Sequence, residues 1–397
     1  MESGLENMNC EGDQRLATIL AIGTANPPNI HLQSQFPDFL FRVTNTEHLV
    51  ELKHKFKRLC DNSNIIKRHM LIDEDLLKEH PNISTYGAPS MDTRREIIND
   101  YIPKLGTEAA LKALKEWGQP LSKITHFIFC TSSCVNHIPG PDFYLAKEIG
   151  LPPTVNRLVI YDHGCHAGGS VLRVAKAFAE SIPGSRVLTV CSETMATSFQ
   201  TPSPKYMGLV IGHAIFGDGA AAMVIGADPI RSIECSLFKI VSTSQQTVEG
   251  TEKAIHLNAS EMGQIYFIAR EIPSILECNV KKCIFNAFGS LGITINDNDF
   301  NSLFYVVHPG AKIILNVLDR VLGLKEEKLA ASRTILKEFG NMWSSSVFFV
   351  LDEMRKKSSN EGKTTTGEGC KWGALMTFGP GMIVETVVIQ SVSLKDY

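Results

Sequence analysis

Residues 157–180 read RLVIYDHGCHAGGSVLRVAKAFAE. The run Arg157–Tyr161 is short, apolar and β-branched, which predicts a strand, and the apolar spacing over Gly168–Ser181 predicts a helix. Between them Gly164, Gly168 and Gly169 allow a sharp turn and a close approach of backbone to its neighbours. Cys165 stands where the strand gives way to the helix. Residues 303–321, LFYVVHPGAKIILNVLDRV, repeat this plan with His308 at the turn. Two related halves of one fold, meeting near residue 240, account for the echo.

Working outward, further strands are expected at His126–Cys130, Arg186–Cys191, Ala220–Ile225 and Ile383–Ser391. Helices are expected at Tyr101–Trp117, Ala311–Leu322 and Trp343–Lys356. Strands alternating with helices predict an α/β layer architecture with largely parallel central strands. The ordered fold is expected to begin at Leu16–Ile22 (LATILAI), after a disordered leader over residues 1–15. An N-terminal half over 16–240 then carries Cys165, and a C-terminal half over 241–397 carries His308 and Asn341. Lys356–Gly369 (KKSSNEGKTTTGEG) reads as a polar surface loop.

Composition narrows the class. Apolar residues make up 44% of the 397 and charged residues 20%, so a large core is available and wholesale disorder is excluded. A net charge of −3 argues against nucleic-acid binding driven by bulk charge. Ten cysteines are too dilute for a disulfide scaffold, and the close pairs Cys130/Cys134 and Cys278/Cys283 lack zinc-ligand spacing. The first residues lack the basic and apolar regions of a signal peptide, and no apolar run is long enough to span a membrane. The expectation is a cytoplasmic protein in a reducing compartment.

Chemistry concentrates at three residues. Most cysteines are inert core residues. Cys165, however, is placed at a helix N-terminus, where unpaired N–H groups and the dipole favour thiolate. The neighbouring Asp162, His163 and His166 do not complete a standard metal pattern. His308 ends an apolar strand, where α/β folds place catalysts, and a thiol nucleophile needs a base or cationic partner. Asn341 precedes a helix, as an N-cap does, and its amide N–H₂ can also stabilise an oxyanion. Lys53, Lys55, Lys57 and Arg58, followed by Lys67 and Arg68, read as a solvated helix face or a phosphate patch. Asp218 in FGDG and the FGPG at 378–381 read as turns.

Taken together, GCHAGGS, FGDGAAA, VVHPG, GNM followed by SSVFFVLDEMR, and FGPGMIVETVV occur in this order along one chain. The sequence resembles the plant chalcone synthase family, the type III polyketide synthases of the thiolase superfamily, from about Ala17 to Val392. The resemblance implies a thiolase-like fold, two βαβαβ halves forming a five-layered αβαβα core. It implies that Cys165 takes an acyl group from a CoA starter, while His308 and Asn341 hold malonyl-CoA as CO₂ leaves. The enolate then attacks the Cys165 thioester in a Claisen condensation, with His308 also pairing Cys165 to favour the thiolate. No metal or redox cofactor is required.

Further positions follow from the same resemblance. Phe216 and Tyr266 match two gating phenylalanines, the second changed. Lys55 and Arg58 match CoA-binding cations, while a third has become Asn62. Ser133, Met195, Ser198, Leu257, Trp343, Thr377 and Phe378 fall on pocket positions. Ile138 matches a residue that reaches into a neighbouring subunit, so a homodimer is implied. The departures cluster in this lining: Leu257 and Thr377 replace glycines, Trp343 replaces a serine, and His163 and His166 flank the nucleophile. Their added bulk exceeds what Ser198 releases, and a close-packed protein cannot absorb an indole without losing cavity or moving backbone. A diketide or triketide from an aromatic or arylalkyl starter is therefore expected rather than a chalcone. The alternatives are a diarylketone synthase of the curcuminoid type, joining two arylacyl units, and a catalytically silent scaffold.

Overall fold

The computed structural model describes residues 15–133 and 137–396. The chain begins with β1 (Ala17–Ala25) and β2 (Ile30–Leu32), then α1 (Phe36–Val43), α2 (Val50–Asn62), β3 (Lys67–His69), α3 (Glu74–Glu79) and α4 (Met91–Trp117). It continues through β4 (His126–Thr131), α5 (Pro141–Ile149), β5 (Asn156–Tyr161), α6 (Ala167–Ser181), β6 (Val187–Glu193), α7 (Met207–Ile215) and β7 (Gly219–Gly226). The remainder holds β8 (Phe238–Thr247), the β9–β10 hairpin (Ile255–Ser260, Gly263–Ile268), α8 (Ile272–Gly289), β11 (Phe304–Val307) and α9 (Lys312–Leu322). It ends with α10 (Ala330–Phe339), α11 (Ser346–Asn360), β12 (Trp372–Gly379) and β13 (Ile383–Ser391). The leader expected at 1–15 lies, apart from Arg15, outside the described residues, as does Cys134.

One nine-stranded sheet runs in the order β11-β12-β13-β8-β1-β7-β6-β4-β5. Three apolar clusters divide it into five layers. α4 packs on one face of the first half-sheet through Ile102, Ala109 and Ala113. α6 and α11 fill the space between the half-sheets, burying Val171, Leu172, Val347 and Val350 against strands from both. α8 and α9 cover the far face with Leu276, Val280, Leu315 and Leu318. That arrangement makes α6 and α11 apolar on more than one side, as buried helices must be.

Three expectations need correcting. The centre of the sheet is antiparallel, with β13–β8, β8–β1, β1–β7 and β7–β6 all paired that way. Parallel pairing is confined to the outer strands, β4–β5, β4–β6 and β11–β12. This pattern is symmetric about the β8–β1 contact. By position the counterpart of β11 is β4, so the sequence echo that matched the Cys165 strand to the His308 strand is one strand out of step. The stretch 356–369 is likewise not all loop: α11 runs to Asn360, and Ser358 and Thr366 are fully buried. The Thr366 hydroxyl donates to Leu237 O and accepts from Val392 N, tying the stretch to the point where β13 ends beside the start of β8.

Candidate active site

The segment after β5 turns on two left-handed residues, Asp162 at φ 58° and Gly164 at φ 60°. The Gly164 N–H donates to the Ser132 hydroxyl at 2.8 Å, fixing the turn against the end of β4. Cys165 follows in a single 3₁₀ turn, and α6 begins at Ala167. Gly168 is required by close approach: a Cβ there would lie 2.5 Å from Val347 and 2.8 Å from Ser344 O of the facing segment. The glycines after the cysteine thus seat α6 against α11, which holds the thiol at the junction of the halves.

Asn341 arrives from the other half. Its backbone bridges Phe216, donating to Ile215 O at 2.8 Å and accepting from Gly217 N at 3.0 Å. Its Oδ1 accepts the Trp343 N–H at 2.8 Å, which assigns Nδ2 to the opposite side. Nδ2 donates to Gly310 O at 3.2 Å and points at Cys165 Sγ 3.6 Å away. His308 continues the β11–β12 pairing through its N–H to Met376 O at 2.9 Å. Its ring lines the same cavity as Cys165, yet neither ring nitrogen has a hydrogen-bond partner among the described residues.

The electrostatics differ from expectation. Burial pushes the Cys165 thiol up to about 12, with the Asn341 hydrogen bond opposing and the Glu193 carboxylate adding to the rise. Burial lowers His308 to about 3, assisted by His166. Desolvation thus favours the neutral thiol, against the thiolate that a helix N-terminus favours. Asn341, not His308, hydrogen-bonds the thiol. His166 is buried, lowered to about 3, and stacks on His163 with ring centroids 5.2 Å apart.

These residues open into a cavity of about 360 Å³. Its wall is largely aliphatic, including Ile211, Ile215, Ile255, Ile268, Ile272 and Ile314. Leu257 and Tyr266 oppose each other across the β9–β10 pair, and both line it. Trp343 lines it as well, at φ 53°, a conformation disfavoured by about 1–2 kcal/mol for a residue with a Cβ. Its indole meets Phe216 at 5.2 Å and Tyr266 at 5.3 Å, and those two rings are 5.3 Å apart. All three contacts are edge-to-face, the geometry ring quadrupoles prefer. The Tyr266 hydroxyl is buried, and burial raises its ionisation well above the ordinary phenol value, with the Ser198 and Thr197 hydroxyls near enough to oppose the rise.

Several expected lining residues lie elsewhere. Among the described residues the wall includes Phe378 but not Thr377. Neighbours on β12 face opposite ways, and Thr377 turns inward to donate to His166 O at 2.9 Å. Ser133 is buried behind the wall, donating to Glu193 at 2.7 Å, while Ser132 lines the cavity. Ser198 donates to Met195 O, and Met195 N donates to Asp218; neither side chain reaches the wall. Ile138 is 95% exposed on the surface. Lys55 and Arg58 are exposed on α2 and do not line the cavity.

Sequence reasoning passed over one buried group and misread two others. Glu193 is buried and accepts from Ser132 N, Ser133 Oγ and Ser344 Oγ; desolvation raises its carboxyl to about 7. Arg68 is an internal tie rather than a surface cation, donating to Gln33, His213 O and Phe216 O. Asp218 is more than a turn: it accepts from Leu71 N, Thr194 Oγ1 and Met195 N. Among the described residues no cluster of three or more His, Cys, Asp or Glu could hold a metal ion. No helix there is long and apolar enough to cross a membrane.

Two family models match the chain. That of the N-terminal domain of chalcone and stilbene synthases covers residues 5–229, and that of their C-terminal domain covers residues 239–393.

Proposed function

The chain belongs to the chalcone and stilbene synthase family and is a type III polyketide synthase, an acyltransferase with a thiolase-like fold; from that premise we propose that it makes a short polyketide by decarboxylative Claisen condensation. The Cys165 thiol attacks an acyl-CoA, the acyl group passes to sulfur, and the thiol proton leaves with CoA. Malonyl-CoA then takes the vacated place. Asn341 Nδ2 and an N–H of neutral His308 donate to its thioester carbonyl as CO₂ departs and charge moves onto that oxygen. The enolate carbon attacks the Cys165 thioester. The C–S bond breaks, and the released sulfur regains a proton.

The observation that carries this proposal is the convergence of Cys165, His308 and Asn341 on one apolar cavity, with the amide 3.6 Å from the sulfur. Among the described residues neither His308 nitrogen has a partner, so no bond there must break before it receives a substrate oxygen. The Trp343–Phe216–Tyr266 cluster occupies space that a longer chain would need, which supports one or two extensions of an aromatic or arylalkyl starter. We also read the enzyme as a homodimer, in which the exposed Ile138 is covered by the second subunit.

The test is mass spectrometry of products from purified protein, malonyl-CoA and a panel of aromatic and alkyl acyl-CoA starters. Diketide or triketide masses are expected. A tetraketide overturns the short-chain proposal, and no product from any starter overturns the condensation.

A further inference from the structure

Away from the catalytic cavity, one lysine is buried without a carboxylate. Lys328 lies in the 3₁₀ turn Glu326–Leu329 that leads into α10, and it is 7% exposed. Lysine is almost never buried unless its charge is paired. The Lys328 Nζ donates to Leu303 O at 2.8 Å and lies 3.4 Å from Cys370 Sγ, and among the described residues no carboxylate pairs with it. Cys370 is half-buried against the core between the half-sheets. Its backbone is fixed on both sides. The N–H donates to Gly367 O at 2.9 Å, and the carbonyl accepts from Ser391 Oγ at 2.6 Å and Thr365 Oγ1 at 3.1 Å. A primary amine and a thiol are therefore held against each other.

The pair joins three segments at one end of the second half-sheet. Leu303 directly precedes β11, Lys328 precedes α10, and Cys370 precedes β12. β11 and β12 run parallel from this end, with Phe304 beside Gly373. Their far ends carry His308 and Phe378, and α10 ends at Phe339, just before Asn341. A bond between Lys328 and Cys370 would thus clamp the entrances of the elements whose exits build one side of the catalytic cavity.

We propose that Cys370 and Lys328 are the site of a reversible oxidative cross-link, with hydrogen peroxide as the oxidant. A thiol oxidised to sulfenic acid condenses with a nitrogen nucleophile in reach. Peroxide transfers one oxygen to Cys370 Sγ and leaves as water, and the sulfur is oxidised by two electrons. The Lys328 ammonium gives a proton to solvent, and its amine lone pair attacks the sulfur. The S–O bond breaks, the hydroxyl leaves with one amine hydrogen as a second water, and an S–N bond closes. Two equivalents of a thiol reverse the link. The first takes the sulfur as a mixed disulfide and returns the amine; the second frees Cys370 and leaves as the oxidised disulfide. The catalytic Cys165 takes no part.

The test treats the full-length protein with hydrogen peroxide, blocks the remaining thiols, and maps peptides after cleavage at glutamate. Residues 328–338 and 369–385 are expected as one joined peptide, lighter than the two together by two hydrogen atoms. Fragmentation should place the link at Lys328 and Cys370, and dithiothreitol should separate the pieces. Lys328→Arg keeps a cation without a nucleophilic amine, and Cys370→Ser removes the thiol; neither should give the joined peptide. The link closes a loop between positions 42 apart, which restricts the unfolded chain. The peroxide-induced shift in melting temperature should therefore be a few degrees more positive in wild type than in either variant, since oxidation of Cys165 is common to all three. Cys370 trapped by dimedone as sulfenic acid with no joined peptide overturns the proposal. So does Cys370 left unreacted once Cys165 is oxidised, and so does a joined peptide that persists in Lys328→Arg. Should both variants fail to fold, the wild-type peptide map alone decides.

Discussion

Asn341 Oδ1 accepts the backbone N–H of Trp343 at 2.8 Å, and this bond links the candidate catalytic amide to the residue that fills the cavity. With Oδ1 engaged, Nδ2 is turned to Cys165. With its N–H engaged, Trp343 is held in the left-handed region, where its indole meets Phe216 and Tyr266. Asn341→Asp keeps the acceptor but puts an anionic oxygen where Nδ2 donates. Malonyl-CoA decarboxylation by the folded variant should fall about 10²–10³-fold, the cost of losing one oxyanion donor, and the melting temperature should fall as well, because the new carboxylate faces Gly310 O in a buried site. Decarboxylation within a few-fold of wild type would remove Asn341 from that role.

The thiol and the imidazole make a pH prediction. Cys165 is pushed up to about 12 and His308 down to about 3, both chiefly by burial. At neutral pH the resting pair is then thiol and neutral ring. The iodoacetamide alkylation rate of Cys165 should climb steadily from pH 6 to 10, because only the thiolate reacts. A rate already on its plateau near pH 6 would show a thiolate–imidazolium pair and contradict this arrangement.

His213 supplies a stability test remote from the thiol. It is fully buried, its Nε2 faces Gln200 O at 2.9 Å, and burial lowers it to about 3. In the unfolded chain it takes a proton near pH 6.5, whereas the folded chain resists until far lower. Its contribution is therefore present above 6.5 and lost as pH falls toward 3. At pH 5 the loss is about 2 kcal/mol, from 1.36 kcal/mol per pKa unit over the interval between pH 5 and 6.5. The stability gap between wild type and His213→Gln, measured by urea unfolding, should shrink by that amount between pH 7 and 5. A constant gap would mean that the ring titrates equally in both states.

What the sequence could and could not show has a common cause. Cys165, His308 and Asn341 were legible because glycines, proline and strand ends mark turns locally. Side-chain direction was not legible where two adjacent residues look alike. Thr377 and Phe378 both fit the pocket by sequence, yet successive strand residues face opposite sides, and Phe378 alone lines it. Ser132 and Ser133 divide in the same way at the end of β4. Strand pairing was a second gap. β8 reads FKIVSTSQQT, with a polar half that gives little strand signal, yet it joins the two half-sheets and makes the centre antiparallel.

The volume argument survives in reduced form and makes the last prediction. Thr377 and Ser198 drop out of it because neither reaches the wall, which leaves Leu257 and Trp343 as the added bulk. Trp343→Ser with Leu257→Gly should lengthen the product by at least one malonyl unit. The indole is buried at 4% exposure, and removing a buried Trp costs about 3–5 kcal/mol. Trp343→Gly recovers about 1–2 kcal/mol of that, because glycine adopts the left-handed backbone without penalty. It should therefore melt above Trp343→Ser while giving the same longer product. Product mass and melting temperature separate the two effects. If the double variant is folded, active and still stops at the wild-type length, then the aromatic cluster does not limit the chain, and cavity volume is not what sets the product.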